Sequence, residues 1–92
     1  MTNIVLFTLD GCIHCKSLKD SLTDLSIPFT ELEVNQHPEI WDEVVKQVKY
    51  EYFPTVFVTT SNDNGFIYIP SVDYETEEEI IEIIKSYYKK GS

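Results

Sequence analysis

The chain opens on an apolar run and then changes period. Asn3 to Thr8 gathers β-branched and aromatic residues, and Asp10-Gly11 ends the run with turn chemistry, so the pattern predicts a buried strand. From Cys12 to about Leu25, Cys15, Leu18, Leu22 and Leu25 recur at helical spacing, while Lys16, Lys19, Asp20 and Asp24 fall largely off that stripe. Ser26-Ile27-Pro28 stops this first helix, because proline disfavours a helical conformation in the residue before it. Phe29 to Val34 then alternates as a half-buried second strand, and strand, helix and parallel strand make a βαβ unit. Asn35-Gln36-His37-Pro38 introduces a second helix to about Lys49, with Asn35 as its expected cap and Ile40, Trp41, Val44, Val45 and Val48 spaced for one buried face.

Pro54 precedes Thr55 to Thr59, a β-prone run whose first ladder position tolerates a missing N–H. Asn62-Asp63-Asn64-Gly65 carries an Asn-Gly turn signal and Phe66 to Ile69 reads as the return strand, so the pair is expected to form a hairpin. Thr76-Glu77-Glu78-Glu79 fits a capping box, after which Ile80, Ile81, Ile83, Ile84, Tyr87 and Tyr88 form a broad apolar face. Lys85, Lys89 and Lys90 complement the carboxyl end of that helix. The order βαβαββα, with helices able to cover both faces of a four-stranded mixed sheet, predicts an α/β sandwich. One domain is expected over residues 1–89, with 90–92 as a tail.

With 42% hydrophobic residues, the 92-residue chain can fill one core and no second. A disulfide across so short a loop as Cys12 to Cys15 has little value as a staple in the chain-entropy model, which argues for function. No amino-terminal segment has the form of a secretory signal and no run approaches a membrane span; the expected setting is a reducing cytoplasm, where paired cysteines are catalytic or metal-binding. Sixteen acidic against seven basic residues give a net charge of −9, which speaks against nucleic acid or an anionic membrane as partner and for a protein with a basic surface.

The candidate chemistry lies in Cys12-Ile13-His14-Cys15, between the first strand and the first helix. A sulfur at the start of a helix faces unpaired N–H groups and the positive end of the dipole, and both favour the nucleophilic thiolate. The spacing of three brings Cys15 beneath Cys12, so the motif supplies an attacker and a resolver. His14 reads either as a solvent-facing residue or as an imidazolium that stabilises the Cys12 thiolate. Tyr50, Tyr52 and Phe53 read either as an aromatic loop or as an apolar platform beside the sulfurs. Zinc requires about four ligands, and beyond the two cysteines only His14 and His37 stand as further candidates, poorly placed to complete a tetrahedron.

Cys12-Ile13-His14-Cys15 after the first strand, together with Phe53-Pro54 before the third, resembles the thioredoxin superfamily, and length and strand order are similar to glutaredoxin. The resemblance covers nearly the whole chain and implies a thioredoxin-like, glutaredoxin-type fold. It implies a cis Pro54 beside the redox pair, with Phe53 presenting backbone groups to a substrate peptide or glutathione, and it adds Ile13 and Asp73 to that binding set. Several positions depart from the pattern. Ile13-His14 stands where Pro-Tyr is common, Tyr52-Phe53 where Thr-Val is common, Pro70-Ser71 where a Gly-Gly pair is common, and Leu9 where a lysine often lies. Histidine at position 14 resembles the strongly oxidising disulfide donors of the superfamily.

The function expected is thiol–disulfide exchange on a protein partner or a small thiol, by a monomer that needs no metal or organic cofactor beyond an electron source. Glutathione is expected to be used weakly, since proline cannot replace a glycine that allows close backbone approach and Leu9 carries no charge. The alternatives are a redox-inert partner-binding module of the same fold and a metal- or iron–sulfur-binding glutaredoxin-like protein.

Overall fold

The computed structural model describes residues 2–60 and 65–91; Asn62, Asp63 and Asn64 of the expected turn, and the side chains of Lys89 and Lys90, lie outside the described residues. The elements run β1 (Asn3–Thr8), α1 (Ile13–Asp24), β2 (Thr30–Glu33), α2 (Pro38–Val48), β3 (Thr55–Thr59), β4 (Gly65–Tyr68) and α3 (Glu77–Gly91). One four-stranded sheet has the order β2-β1-β3-β4, with β1 parallel to β2 and antiparallel to β3, and β3 antiparallel to β4. This is the mixed α/β sheet that the hydrophobic pattern predicts. Helix α3 continues into the residues expected to form a tail.

Alternation along the central strands divides the core in two. Ile4 and Leu6 of β1 and Val56 and Val58 of β3 pack with Leu18 and Leu22 of α1 and Ile80 and Ile84 of α3. On the other face Phe7, Val34 and Trp41 form a smaller cluster, bordered by Val5, Val44, Val45, Phe53 and Phe57. The expected face of α2 is therefore only partly covered: Trp41 is buried, Val44, Val45 and Val48 are half-buried, and Ile40 remains 46% exposed.

The helix ends follow local chemistry. Ser26, in the left-handed region at φ 58°, turns the chain out of α1 while the Ile27 N–H donates to the Leu22 carbonyl. Thr76 and Glu79 form the expected capping box: the Glu79 N–H donates to Thr76 Oγ1 at 3.2 Å, and the Thr76 N–H donates to Glu79 Oε1 at 3.1 Å. Asn35 does not cap α2. Pro38 occupies the first helical turn and His37 takes the N-cap position, so Asn35 lies too far upstream and donates instead to the Glu33 carboxylate.

One polar tie crosses β1, α1 and β2. Lys19 Nζ reaches Glu31 Oε2 at 2.9 Å, and the buried Thr8 hydroxyl donates to the same oxygen at 2.7 Å. The bond from Lys19, then that from Thr8, hold the Glu31 carboxyl below its ordinary range, with partial burial opposing them.

Two expectations for stability follow from this packing. Ile84→Ala should cost about 2–5 kcal/mol, because Ile84 is fully enclosed. Ile40→Ala should stay within about 0.5 kcal/mol. Urea midpoints at constant m value check the contrast. Because the Glu31 pKa is depressed in the folded state, its contribution is present above the unfolded value and is lost as pH falls through the folded one. Glu31→Gln should therefore flatten the acid side of the stability–pH curve, with little change in slope above pH ~6.

Candidate functional site

The turn after β1 brings the first cysteine to the mouth of α1. Gly11 adopts φ +82°, open to glycine at little cost, and the Cys12 N–H closes the turn on the Leu9 carbonyl at 3.0 Å. Cys12 then takes an extended conformation, φ −78° and ψ 110°, and serves as the N-cap of α1. Its Sγ accepts the Cys15 N–H at 3.1 Å, the bond that serine or aspartate oxygen makes at an ordinary cap. The two cysteines are joined as a disulfide, with Cα atoms 5.3 Å apart. Cys12 is half-buried and Cys15 is only 2% exposed, so the first cysteine is the more accessible of the two.

The expected site residues distribute over two adjoining hollows. Cys12, Ile13 and Cys15 border a groove of about 660 Å³ with Leu9, Lys16 and Glu31. Ile13 is 80% exposed at its rim. His14 faces the other hollow, a cleft of about 260 Å³ that it shares with Phe53 and Pro54, over a floor of Leu18 and Ile80. The Phe53–Pro54 peptide is cis, as the resemblance implies. Phe53 lies against Trp41, with ring centroids 5.0 Å apart, and Trp41 in turn lies 5.4 Å from Phe7 of β1.

Asp73 is not brought to either hollow. Its carboxylate accepts the Ile69 N–H at 2.9 Å and ties off the loop after β4. Pro70 and Ser71 of that loop line the His14 cleft, and Ser71 takes the left-handed φ of 68° that a glycine would adopt without cost.

Sequence reasoning missed the partner that fixes Pro54. The buried Tyr74 hydroxyl donates to the Pro54 carbonyl, and burial pushes its pKa above the ordinary tyrosine value, so the donor persists into alkaline solution. A single tyrosine in a loop carries no periodic signal, and only the packing of the two loops exposes its role. The acidic wall was missed as well: Glu75 and Glu77 line the cleft, although Glu77 reads in sequence as helix capping alone. Among the described residues, no group of three or more His, Cys, Asp or Glu side chains is placed to hold a metal ion.

Comparison with known proteins meets this geometry. The family model named Glutaredoxin matches residues 4–61, from β1 to just past β3. N-acetyl-S-hydroxy-L-cysteine reductase of Bacillus subtilis (strain 168) is 30% identical over 64 residues, covering 67% of each chain. Gene 56 protein of Mycobacterium phage L5 is 31% identical over 81 residues, 83% of this chain and 78% of that one. Among solved structures, Chlamydomonas reinhardtii thioredoxin f2 superposes with a TM-score of 0.64 at 20% identity, over 94% of this chain and 78% of that one, which is a likeness of fold. The cysteine pair at the mouth of α1, the matched family model and the two relatives agree: the chain belongs to the glutaredoxin family.

Proposed function

We propose that the protein is a thiol–disulfide oxidoreductase that reduces disulfides of a protein partner or of a small thiol, with Cys12 as nucleophile and Cys15 as resolving thiol. The observation that carries this reading is the position of Cys12: it is half-buried at the N-cap, its sulfur receives a backbone N–H, and Cys15 lies enclosed one turn behind it. In the reduced protein that position supports a thiolate. The Cys12 thiolate attacks one sulfur of the substrate, the substrate S–S bond breaks, and one substrate thiolate leaves. Cys15 then gives up its proton and attacks the Cys12 sulfur. The mixed disulfide breaks, the second substrate thiolate leaves, and two electrons have passed from the cysteine pair to the substrate. A dithiol electron source, or a reductase, restores the pair. The likeness to a protein named as a reductase supports the reductive direction.

Phe53 and Pro54 border the site and are assigned the orientation of the substrate backbone, with Ile13 as an exposed apolar contact. Glutathione is assigned a minor role. Pro70 occupies the wall of the His14 cleft, Leu9 offers no charge, and the Asp73 carboxylate is engaged by its own loop.

Cys15→Ser should accumulate a mixed disulfide with a model disulfide, and Cys12→Ser should not; mass spectrometry of the non-reduced protein distinguishes them. Equal trapping by both variants rejects the assignment. His14→Tyr should raise the Cys12 pKa and make the disulfide less oxidising, on the order of 30 mV per pKa unit. Thiolate absorbance and redox equilibration check both effects, and an unchanged potential returns His14 to a solvent-facing role.

A further inference from the structure

We infer that the cleft beside the redox turn accepts a cationic side chain, arginine above all, from the segment of a substrate protein that flanks its disulfide. The inference rests on the exchange chemistry proposed above and names the substrate class for it. The wall of the cleft combines Tyr52, Phe53 and Tyr74 with the carboxylates of Glu75 and Glu77. It contains no lysine or arginine, and His14 is its one basic residue. Among the described residues neither glutamate enters an ion pair; the Ser21 hydroxyl donates to Glu77 Oε2 at 2.8 Å and fixes that carboxylate at the edge of the apolar floor. A flat guanidinium can stack on the exposed Tyr52 ring while its N–H groups meet carboxylate oxygens, a pairing that a compact ammonium makes less well.

The loop on one side of the cleft spends its own donors internally. The start of a helix and the loop before it ordinarily offer backbone N–H groups to a carboxylate. Here the N–H groups of Ile69, Ser71, Val72, Asp73, Glu75 and Thr76 all donate within the chain, three of them to the carboxylates of Asp73 and Glu79. Glu77, Glu78 and Glu79 fill the first turn of α3 and offset its dipole. A ligand that approaches with a carboxylate finds no unengaged donor among these six groups and meets two negative side chains. A ligand that approaches with a guanidinium finds the reverse. The net charge of −9 draws such a segment toward the protein at long range.

Three disulfides test this with the full chain and dithiothreitol as electron source, each rate taken above the direct reaction with dithiothreitol alone: two synthetic peptide disulfides that differ only in Arg or Glu next to the cysteine, and neutral hydroxyethyl disulfide. The Arg peptide should be reduced about tenfold faster in kcat/KM than the Glu peptide. That ratio should fall toward one in 0.5 M salt and in the Glu75→Gln, Glu77→Gln double variant. The salt series uses unaltered protein, so it stands even if the variant folds poorly. Reduction of all three substrates with a ratio near one at low salt overturns the inference and leaves the exchange chemistry intact. Failure to reduce any of the three overturns the exchange chemistry, and the inference with it.

Discussion

Everything at the site depends on how rigidly α1 is held. Leu18 and Leu22 are enclosed between the sheet and α3, and Lys19 on the neighbouring face is tied to Glu31 of β2. With its second and third turns fixed, the helix cannot rotate or slide to relieve its first turn. The N–H groups at its start must be satisfied where they stand, and Cys12 Sγ takes the one from Cys15. At a position that helix physics would normally fill with serine, threonine, asparagine or aspartate stands a cysteine, and the cap carries the sulfur proposed as nucleophile. The core and the chemistry thus share one interaction: packing orients the helix, the helix presents donors, and the donors act on the sulfur.

The parts of this arrangement that were legible in sequence are those set by short-range pattern. Asn3–Thr8 coincides with β1, Thr55–Thr59 with β3, and Thr76 to Glu79 forms the box its spacing predicts. The placement of Cys12 at the cap was legible for the same reason, because a strand, a glycine turn and a helical stripe leave few positions for it. Asn35 misled because Pro38 shifts the cap by two residues, and a cap assignment is decided by which backbone N–H groups are orphaned. The face of α2 misled differently: its spacing is helical, but only a small cluster lies opposite it, so spacing overstated burial. The cleft beside Pro54 was beyond sequence reading. It is built where three separate segments meet, and neither Tyr74 nor Glu75 announces its neighbours along the chain.

Departures from the family pattern fall within the redox turn, at Leu9, Ile13 and His14, and in the segments around it, at Tyr52, Phe53, Pro70 and Ser71, while the order strand, turn and helix is kept. Pro70, Ser71, Asp73 and Tyr74 convert the loop after β4 into a closed internal network, with Tyr74 holding the Pro54 carbonyl and Asp73 holding the Ile69 N–H. In the proposed reading, reactivity and selectivity reside largely in different elements. The first depends on α1 and its core contacts, the second on loops that can vary without disturbing that helix.

The aromatic stack also has an optical consequence. The chain has one tryptophan, Trp41, buried between Phe7 on the strand that leads to the redox turn and Phe53 on the residue before the cis proline. Indole emission responds to the packing and polarity around the ring. Displacement of the Phe53–Pro54 segment by a docking partner alters the indole's surroundings, while the other tyrosines and phenylalanines emit at shorter wavelengths. The protein therefore carries its own unlabelled fluorophore against the loop proposed to face the substrate.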